Sequence, residues 1–163
     1  MGSFFTGLHE FGYLPSLAAV FDWLFSEHRF DGAIWNSNAK RRFTKELKRL
    51  DGFGSSSFLT KSAMNEYPVL KDRRNRKRKP YALFSSGGSI GESFVRHIRN
   101  AIAHGHAELY KVKGCLYIQM TDYDVRGNQT AYISMPLAYL NDIRIIYSNL
   151  EKSQTKSRKT NRS

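Results

Sequence analysis

Arg99, Asn100 and His104 are the residues whose types and spacing could support chemistry in this chain. Arginine carries a permanent positive charge, asparagine offers an amide for hydrogen bonds, and histidine exchanges a proton near neutral pH. A cation that grips a phosphate and an imidazole that transfers a proton are groups that can cleave a phosphodiester. We therefore expect the catalytic site at these three residues.

The residues on either side of this group predict a helix that ends beside it. Ser89 and Glu92 have the spacing of a capping box, in which a serine and a glutamate bind the free amides at a helix start. Gly105 suits the left-handed conformation that often follows the last turn of a helix. These signals together predict a helix from about Ile90 to His104.

The predicted helix has an apolar face and a polar face. The apolar face, which we expect to be buried, contains Ile90, Phe94, Val95, Ile98, Ala101 and Ile102. The polar face repeats every fourth residue and contains Glu92, Arg96, Asn100 and His104. Arg99 lies off that face, but its long side chain can reach the same surface. We expect Glu92 and Arg96 to support the site and His97 to be structural; the simpler alternative is an ordinary solvated face.

Hydrophobic spacing elsewhere predicts a mainly α, α+β fold. Further helices are predicted at about 14–25, 38–50, 57–66 and 136–150. Strands are predicted at 107–112, 115–122 and 129–135. The strands should form a small antiparallel sheet inserted before the last helix.

The net charge of +12 is concentrated in two segments. Residues 71–79 carry seven cations and one anion, and the tail after Glu151 carries five cations and no acid. Basic segments on a nearly neutral body favour RNA as the partner. The RNA-binding residues we expect are Arg73, Arg74, Arg76, Lys77, Arg78 and Lys79. The alternative is that both segments are simply disordered and solvated.

The composition excludes several classes of protein. Cys115 is the only cysteine, so no internal disulfide can form and the cytoplasm is the simplest location. No apolar stretch approaches the roughly 20 residues needed to span a membrane, and we expect no membrane partner. His104, His106 and Cys115 lack a zinc-binding spacing, and the glycine-rich segment 87–91 lacks the lysine of a phosphate-binding loop. We therefore expect neither a metal nor a cofactor.

The Arg99-Asn100-x-x-x-His104 segment, late on an amphipathic helix, resembles the active-site motif of the HEPN superfamily. The resemblance implies a HEPN-like helical bundle and a metal-independent endoribonuclease, in which two protomers form one composite RNA-cutting site. His104 would be the general base or acid, Arg99 would hold the phosphate and Asn100 would orient His104 or the substrate. On this basis we expect one HEPN-like domain over 1–151, with a mobile basic loop at 71–80 and a disordered basic tail at 152–163.

His106 stands where a well-known toxin subgroup has a tyrosine that a partner nucleotidyltransferase modifies. This chain therefore has no tyrosine to be modified at that position, whereas an antitoxin or a nucleotidyltransferase stays open as a partner. His106 also fits the looser form of the motif, but Gly105 ends the helix before it, so we assign His104 as catalytic and His106 as supporting. The cellular role implied is a toxin or phage-defence effector. The alternative is a non-catalytic HEPN module that binds RNA or a regulatory partner.

Overall fold

The structure, a computed structural model, describes residues 14–26, 30–50, 53, 58–60 and 80–160. Its helices are α1 (Leu14–Leu24), α2 (Ser37–Leu47), α3 (Ile90–Ala103) and α4 (Tyr139–Thr160). Its strands are β1 (Phe58–Thr60), β2 (Tyr81–Phe84), β3 (Ala107–Val112), β4 (Cys115–Tyr123) and β5 (Gln129–Pro136). The α+β fold class predicted from the sequence is confirmed.

The strands form one sheet in the order β1-β2-β5-β4-β3. β1 and β2 run parallel, and the other neighbouring pairs are antiparallel. The three strands predicted before the last helix are confirmed as β3, β4 and β5. The sequence patterns miss β1 and β2, which precede α3 in the chain. The sheet is therefore larger than the small one expected, and only part of it lies between α3 and α4.

The helix predicted at 57–66 is wrong at its start, because Phe58–Thr60 forms β1. So short a segment shows no clear period, and its pairing with β2 is decided by tertiary contacts rather than local propensity. All four residues of β2 are buried. This strand therefore lacks the alternation that reveals a half-buried strand in a sequence. Residues 61–66 lie outside the described part of the chain.

α2 lies close to α3 at Gly91, a buried residue in the first turn of α3. A β-carbon added at Gly91 would lie 2.6 Å from Cδ1 of Phe43 and 3.0 Å from Oγ1 of Thr44. The Thr44 hydroxyl oxygen also accepts a hydrogen bond of 3.0 Å from the Gly91 backbone N–H. Because the Phe43 ring is fully buried, it has little room to move, and the two helices approach only because a glycine stands here.

Replacing Gly91 with alanine is expected to destabilise the protein by about 1–3 kcal/mol, because overpacking a buried contact outweighs the better helix propensity of alanine. Urea denaturation would measure the free energy of unfolding. Gly87→Ala is the matched control, since nothing lies within 4 Å of a β-carbon built there. If both variants unfold at the same urea concentration as the wild type, the close contact is not important to stability.

The start of α3 lies where the sequence predicts it, but the predicted capping box is wrong. Ser89 occupies the N-cap position with an extended backbone, yet within the described residues its side chain makes no capping hydrogen bond. Glu92 Oε2 instead lies 3.0 Å from Nζ of Lys40 on α2. The Glu92 carboxylate therefore pairs with a cation on the neighbouring helix instead of capping the start of α3. This ion pair joins α2 and α3.

α4 continues to Thr160, so the prediction of a disordered tail is wrong for residues 152–160. Serine and threonine hydroxyls along this stretch donate to carbonyls of the preceding turn, as Ser153 does to Leu150 at 2.8 Å. Arg158 and Lys159 stand in the last turn, where cations complement the helix dipole. The helix also begins later than the predicted residue 136, because Pro136 ends β5 and α4 begins at Tyr139.

The predicted basic loop at 71–80 lies outside the described residues except for Pro80, which is buried. The six residues predicted to bind RNA in that loop are therefore also outside them. Among the helices that are described, none has the length and apolar character needed to cross a membrane.

Candidate active site

A Schellman motif ends α3 and sets the direction of the following strand. The Gly105 N–H donates to the Ile102 carbonyl at 3.2 Å, and the His106 N–H donates to the Ala101 carbonyl at 2.8 Å. Gly105 has φ +73°, as predicted for a left-handed residue beyond the helix. His104 and His106 flank this glycine, and both side chains are exposed. The end of α3 therefore presents two imidazoles to solvent.

Arg99 and Asn100 contact each other through their side chains one turn before His104. The Arg99 Nη1 donates to Asn100 Oδ1 at 3.3 Å. The Arg99 guanidinium carbon also lies 5.9 Å from the centroid of the Phe25 ring, just beyond α1. The His104 backbone N–H donates to the Asn100 carbonyl at 2.9 Å. Arg99 and Asn100 therefore lie near the end of α3 and His104 lies at its C-cap, with Arg99 and His104 exposed and Asn100 partly buried.

Asp122 on β4 also joins this group, although it is not among the site residues predicted from the sequence. Its Oδ2 accepts hydrogen bonds from Asn100 Nδ2 at 3.3 Å and from His97 Nδ1 at 2.7 Å. Its Oδ1 accepts from the Tyr123 backbone N–H at 2.9 Å. The signal that could have found Asp122 is the alternation along β4, because Ile118, Met120 and Asp122 share the buried face. A carboxylate at a core position of a strand needs polar partners.

His97 is buried, and each of its ring nitrogens faces a hydrogen-bond acceptor. Nδ1 faces Asp122, and Nε2 lies 2.8 Å from the Ser85 carbonyl oxygen. The contact with the Asp122 carboxylate is a hydrogen bond when Nδ1 carries a proton, and the contact with the Ser85 carbonyl is one when Nε2 does. The structural role expected for His97 thus takes the form of a buried contact with Asp122 that ties α3 to β4, and this contact is an ion pair when the imidazole is protonated.

The charge of Asp122 is maintained by its partners. Burial favours the neutral acid, but the hydrogen bond and positive charge of His97, together with hydrogen bonds from Asn100 and Tyr123, hold the pKa of Asp122 below its ordinary value of 3.8. An ionised Asp122 fixes the Asn100 amide, because its nitrogen faces the carboxylate and its oxygen faces Arg99. Asn100 therefore lies between one anion and one cation in a single orientation.

A groove of about 390 Å³ lies beside the histidines. Its lining residues are His104, His106, Asp122, Tyr123, Asp124 and Val125. The His106 ring centroid is 5.1 Å from that of Tyr123 and 6.3 Å from that of His104. Asn128 donates to Asp124 from its side chain at 3.0 Å and its backbone at 2.9 Å, and these bonds lower the pKa of Asp124. The groove thus combines two imidazoles with two carboxylates.

The predicted supporting residues lie in different places. His106 lines the groove, and Arg96 is exposed one turn before Asn100. Glu92 pairs with Lys40 at the other end of α3, about 12 Å along the helix axis from Asn100. The structure therefore does not bring Glu92 to the motif. Within the described part of the chain, no three His, Cys, Asp or Glu side chains form a group that could hold a metal ion.

The fold and this site define an α+β domain in which an Arg-Asn-x-x-x-His segment ends a helix and a buried aspartate orients the asparagine. A family model described as HEPN pEK499 p136 matches residues 35–158. The chain therefore belongs to the HEPN superfamily, as its motif predicted. Membership indicates a nuclease or RNA-related function. No curated protein and no solved structure matches the chain.

Proposed function

We propose that this protein is a metal-independent endoribonuclease. The observation that carries the proposal is the fixed Asn100 amide, bonded to Arg99 on one side and Asp122 on the other, one turn before an exposed His104. A guanidinium can bind phosphate oxygens, and an exposed imidazole beside a groove can reach a ribose hydroxyl. These are the groups that RNA cleavage without a metal requires.

In the proposed reaction, an imidazole nitrogen of His104 removes the proton from a ribose 2′-hydroxyl. The 2′-oxygen attacks the adjacent phosphorus, and the bond from phosphorus to the 5′-oxygen breaks. The departing 5′-oxygen takes a proton, so the products are a cyclic phosphate and a free 5′-hydroxyl. Arg99 neutralises the charge that grows on the phosphate oxygens, and Asn100 orients the substrate or His104.

The base and the acid act on opposite sides of the phosphorus, so one imidazole does not serve both at once. We propose that a homodimer supplies the second His104, giving a composite site between two α3 helices. HEPN domains often dimerise and bind RNA, which supports this arrangement. The cellular role we propose, a cytoplasmic toxin or phage-defence effector restrained by an antitoxin or a nucleotidyltransferase, rests on family analogy.

A substrate-based experiment tests the proposed chemistry. Full-length protein should cut an RNA oligonucleotide in EDTA but leave intact the same oligonucleotide carrying 2′-deoxyribose at the cut position, because the internal nucleophile is missing there. Mass spectrometry should find cyclic phosphate and 5′-hydroxyl ends. RNA that is bound but never cut would identify the non-catalytic alternative. Cutting at the deoxy position would show that the 2′-hydroxyl is not the nucleophile.

A further inference from the structure

The last turns of α4 carry a concentration of positive charge. Residues 152–160 include Lys152, Lys156, Arg158 and Lys159 and no acidic residue. Lys152, Lys156 and Lys159 follow the spacing i, i+4 and i+7, which places them on one side of the helix. We call these three lysines the α4 ridge. Each of their side chains is exposed.

The α4 ridge is fixed to the body of the protein. Arg158, beside the ridge, donates from Nη2 to the Ala33 carbonyl at 2.6 Å. The three lysines also line a groove of about 420 Å³ with Ile34, Thr155 and Glu151. Among the described residues that line this groove, Glu151 is the one acid. A basic surface on an anchored helix loses less conformational entropy on binding than the same charges on a disordered tail.

We propose that the α4 ridge binds the phosphate backbone of the RNA substrate outside the cleavage groove. This inference rests on RNA being the substrate, as proposed above. Lysine ammonium groups interact with phosphates as point charges, and each neutralised phosphate releases counterions whatever the base sequence. The ridge therefore adds affinity that depends on salt and not on sequence, while the groove beside His104 retains the chemistry.

The chain itself limits how far the ridge is from the proposed catalytic residues. The Phe25 ring lies under Arg99, and Ala33 receives the hydrogen bond from Arg158. Eight residue steps along a chain extend at most about 29 Å, so the α-carbons of Phe25 and Ala33 are no further apart than that. At a stacked rise of 3.4 Å, about nine nucleotides cover this distance. One RNA strand of moderate length can therefore reach both surfaces.

The experiment compares full-length wild type with Lys152→Gln/Lys156→Gln, and it uses a 2′-O-methyl RNA of about 20 nucleotides that cannot be cut. Dissociation constants are measured across a salt series. At roughly 0.7 per phosphate contact on a single strand, the slope of log affinity against log salt should fall by about 1.4. The affinity should fall by up to about 25-fold at 0.1 M salt. The loss should be the same for oligonucleotides of unrelated sequence.

Lys111→Gln/Lys113→Gln is the matched control, because it removes the same charge from exposed positions on and next to β3. Its slope should stay near that of the wild type. An unchanged slope in the α4 variant, or an equal fall in both variants, would overturn the proposal. If the α4 variant loses binding to polyglutamate but not to RNA, the ridge instead docks an acidic protein. Ridge-dependent binding of the 2′-O-methyl RNA, with no cleavage of unmodified RNA of the same sequence, would support the ridge and refute the ribonuclease.

Discussion

Replacing His104 with alanine is expected to lower the rate constant of RNA cleavage by about 10²–10⁴-fold, which is the usual contribution of a general acid or base. RNA affinity and the free energy of unfolding should change little. The side chain is exposed at the C-cap of α3, so its removal leaves no cavity. Single-turnover cleavage at saturating RNA would isolate the chemical step from binding.

His106→Ala is the matched control for this substitution. His106 is also exposed, and its ring centroid lies 6.3 Å from that of His104. Its loss should reduce cleavage much less, since we place it in the groove wall and not at the reacting atoms. A large loss in His106→Ala with normal cleavage in His104→Ala would reverse the assignment. Normal cleavage in both variants would show that neither His104 nor His106 transfers a proton in the reaction.

The parts of the fold that the sequence predicts well are those with signals in neighbouring residues. Gly105 takes the left-handed conformation, and β3 and β4 are joined by a turn at Lys113 and Gly114, both with positive φ. The glycines at these positions indicate where a helix ends and where one strand turns into the next. α3, β3 and β4 could therefore be located within a residue or two from local chemistry alone.

The end of α4 is difficult to predict from the sequence, because the charge of residues 152–160 indicates disorder whereas their helix propensity favours a helix. A segment with many like charges is usually disordered. Here the helix is already nucleated by four buried residues, Leu140, Ile143, Tyr147 and Leu150. Extending an existing helix avoids the cost of nucleation, and lysine, arginine and glutamine are good helix formers. The buried first half of α4 therefore orders the basic second half.

The candidate site was predictable only on α3. Arg99, Asn100 and His104 are close in sequence, so helical spacing brings them together. Asp122 stands 22 residues after Asn100, and its contact depends on how β4 packs against α3. No local pattern encodes that contact. The environment of His97 is equally hard to predict from the sequence. Its contact with Asp122 on β4, 25 residues later, decides whether its side chain is solvated or buried.

Replacing Asp122 with asparagine is expected to destabilise the protein by about 3–5 kcal/mol at pH 7, because it leaves the buried His97 without its counterion. Cleavage should also slow by about 10–100-fold, since Asn100 loses the anion that fixes its amide. Chemical denaturation and single-turnover cleavage measure the two effects. Asp124→Asn is the matched control on an exposed carboxylate two residues away, and it should unfold close to the wild type.

A double-mutant cycle shows whether the pair, and not each residue alone, carries this stability. His97→Gln combined with Asp122→Asn should destabilise less than the sum of the single variants, with a coupling of about 0.5–3 kcal/mol. Strict additivity would mean that His97 and Asp122 stabilise the fold independently. If the unfolding free energies show this coupling but the variants cleave RNA at the wild-type rate, the buried pair stabilises the fold without positioning Asn100 for cleavage.

The pH dependence of unfolding provides an independent check on the same pair. The folded-state pKa of Asp122 lies below its ordinary value of 3.8, so near that pH the unfolded chain binds more protons than the folded one. Stability from Asp122 is therefore complete above pH 3.8 and declines as the pH falls through the lower folded value. The difference in unfolding free energy between wild type and Asp122→Asn should shrink over that acidic range. A difference that stays constant into that range would show that the carboxylate charge is not what holds β4 to α3.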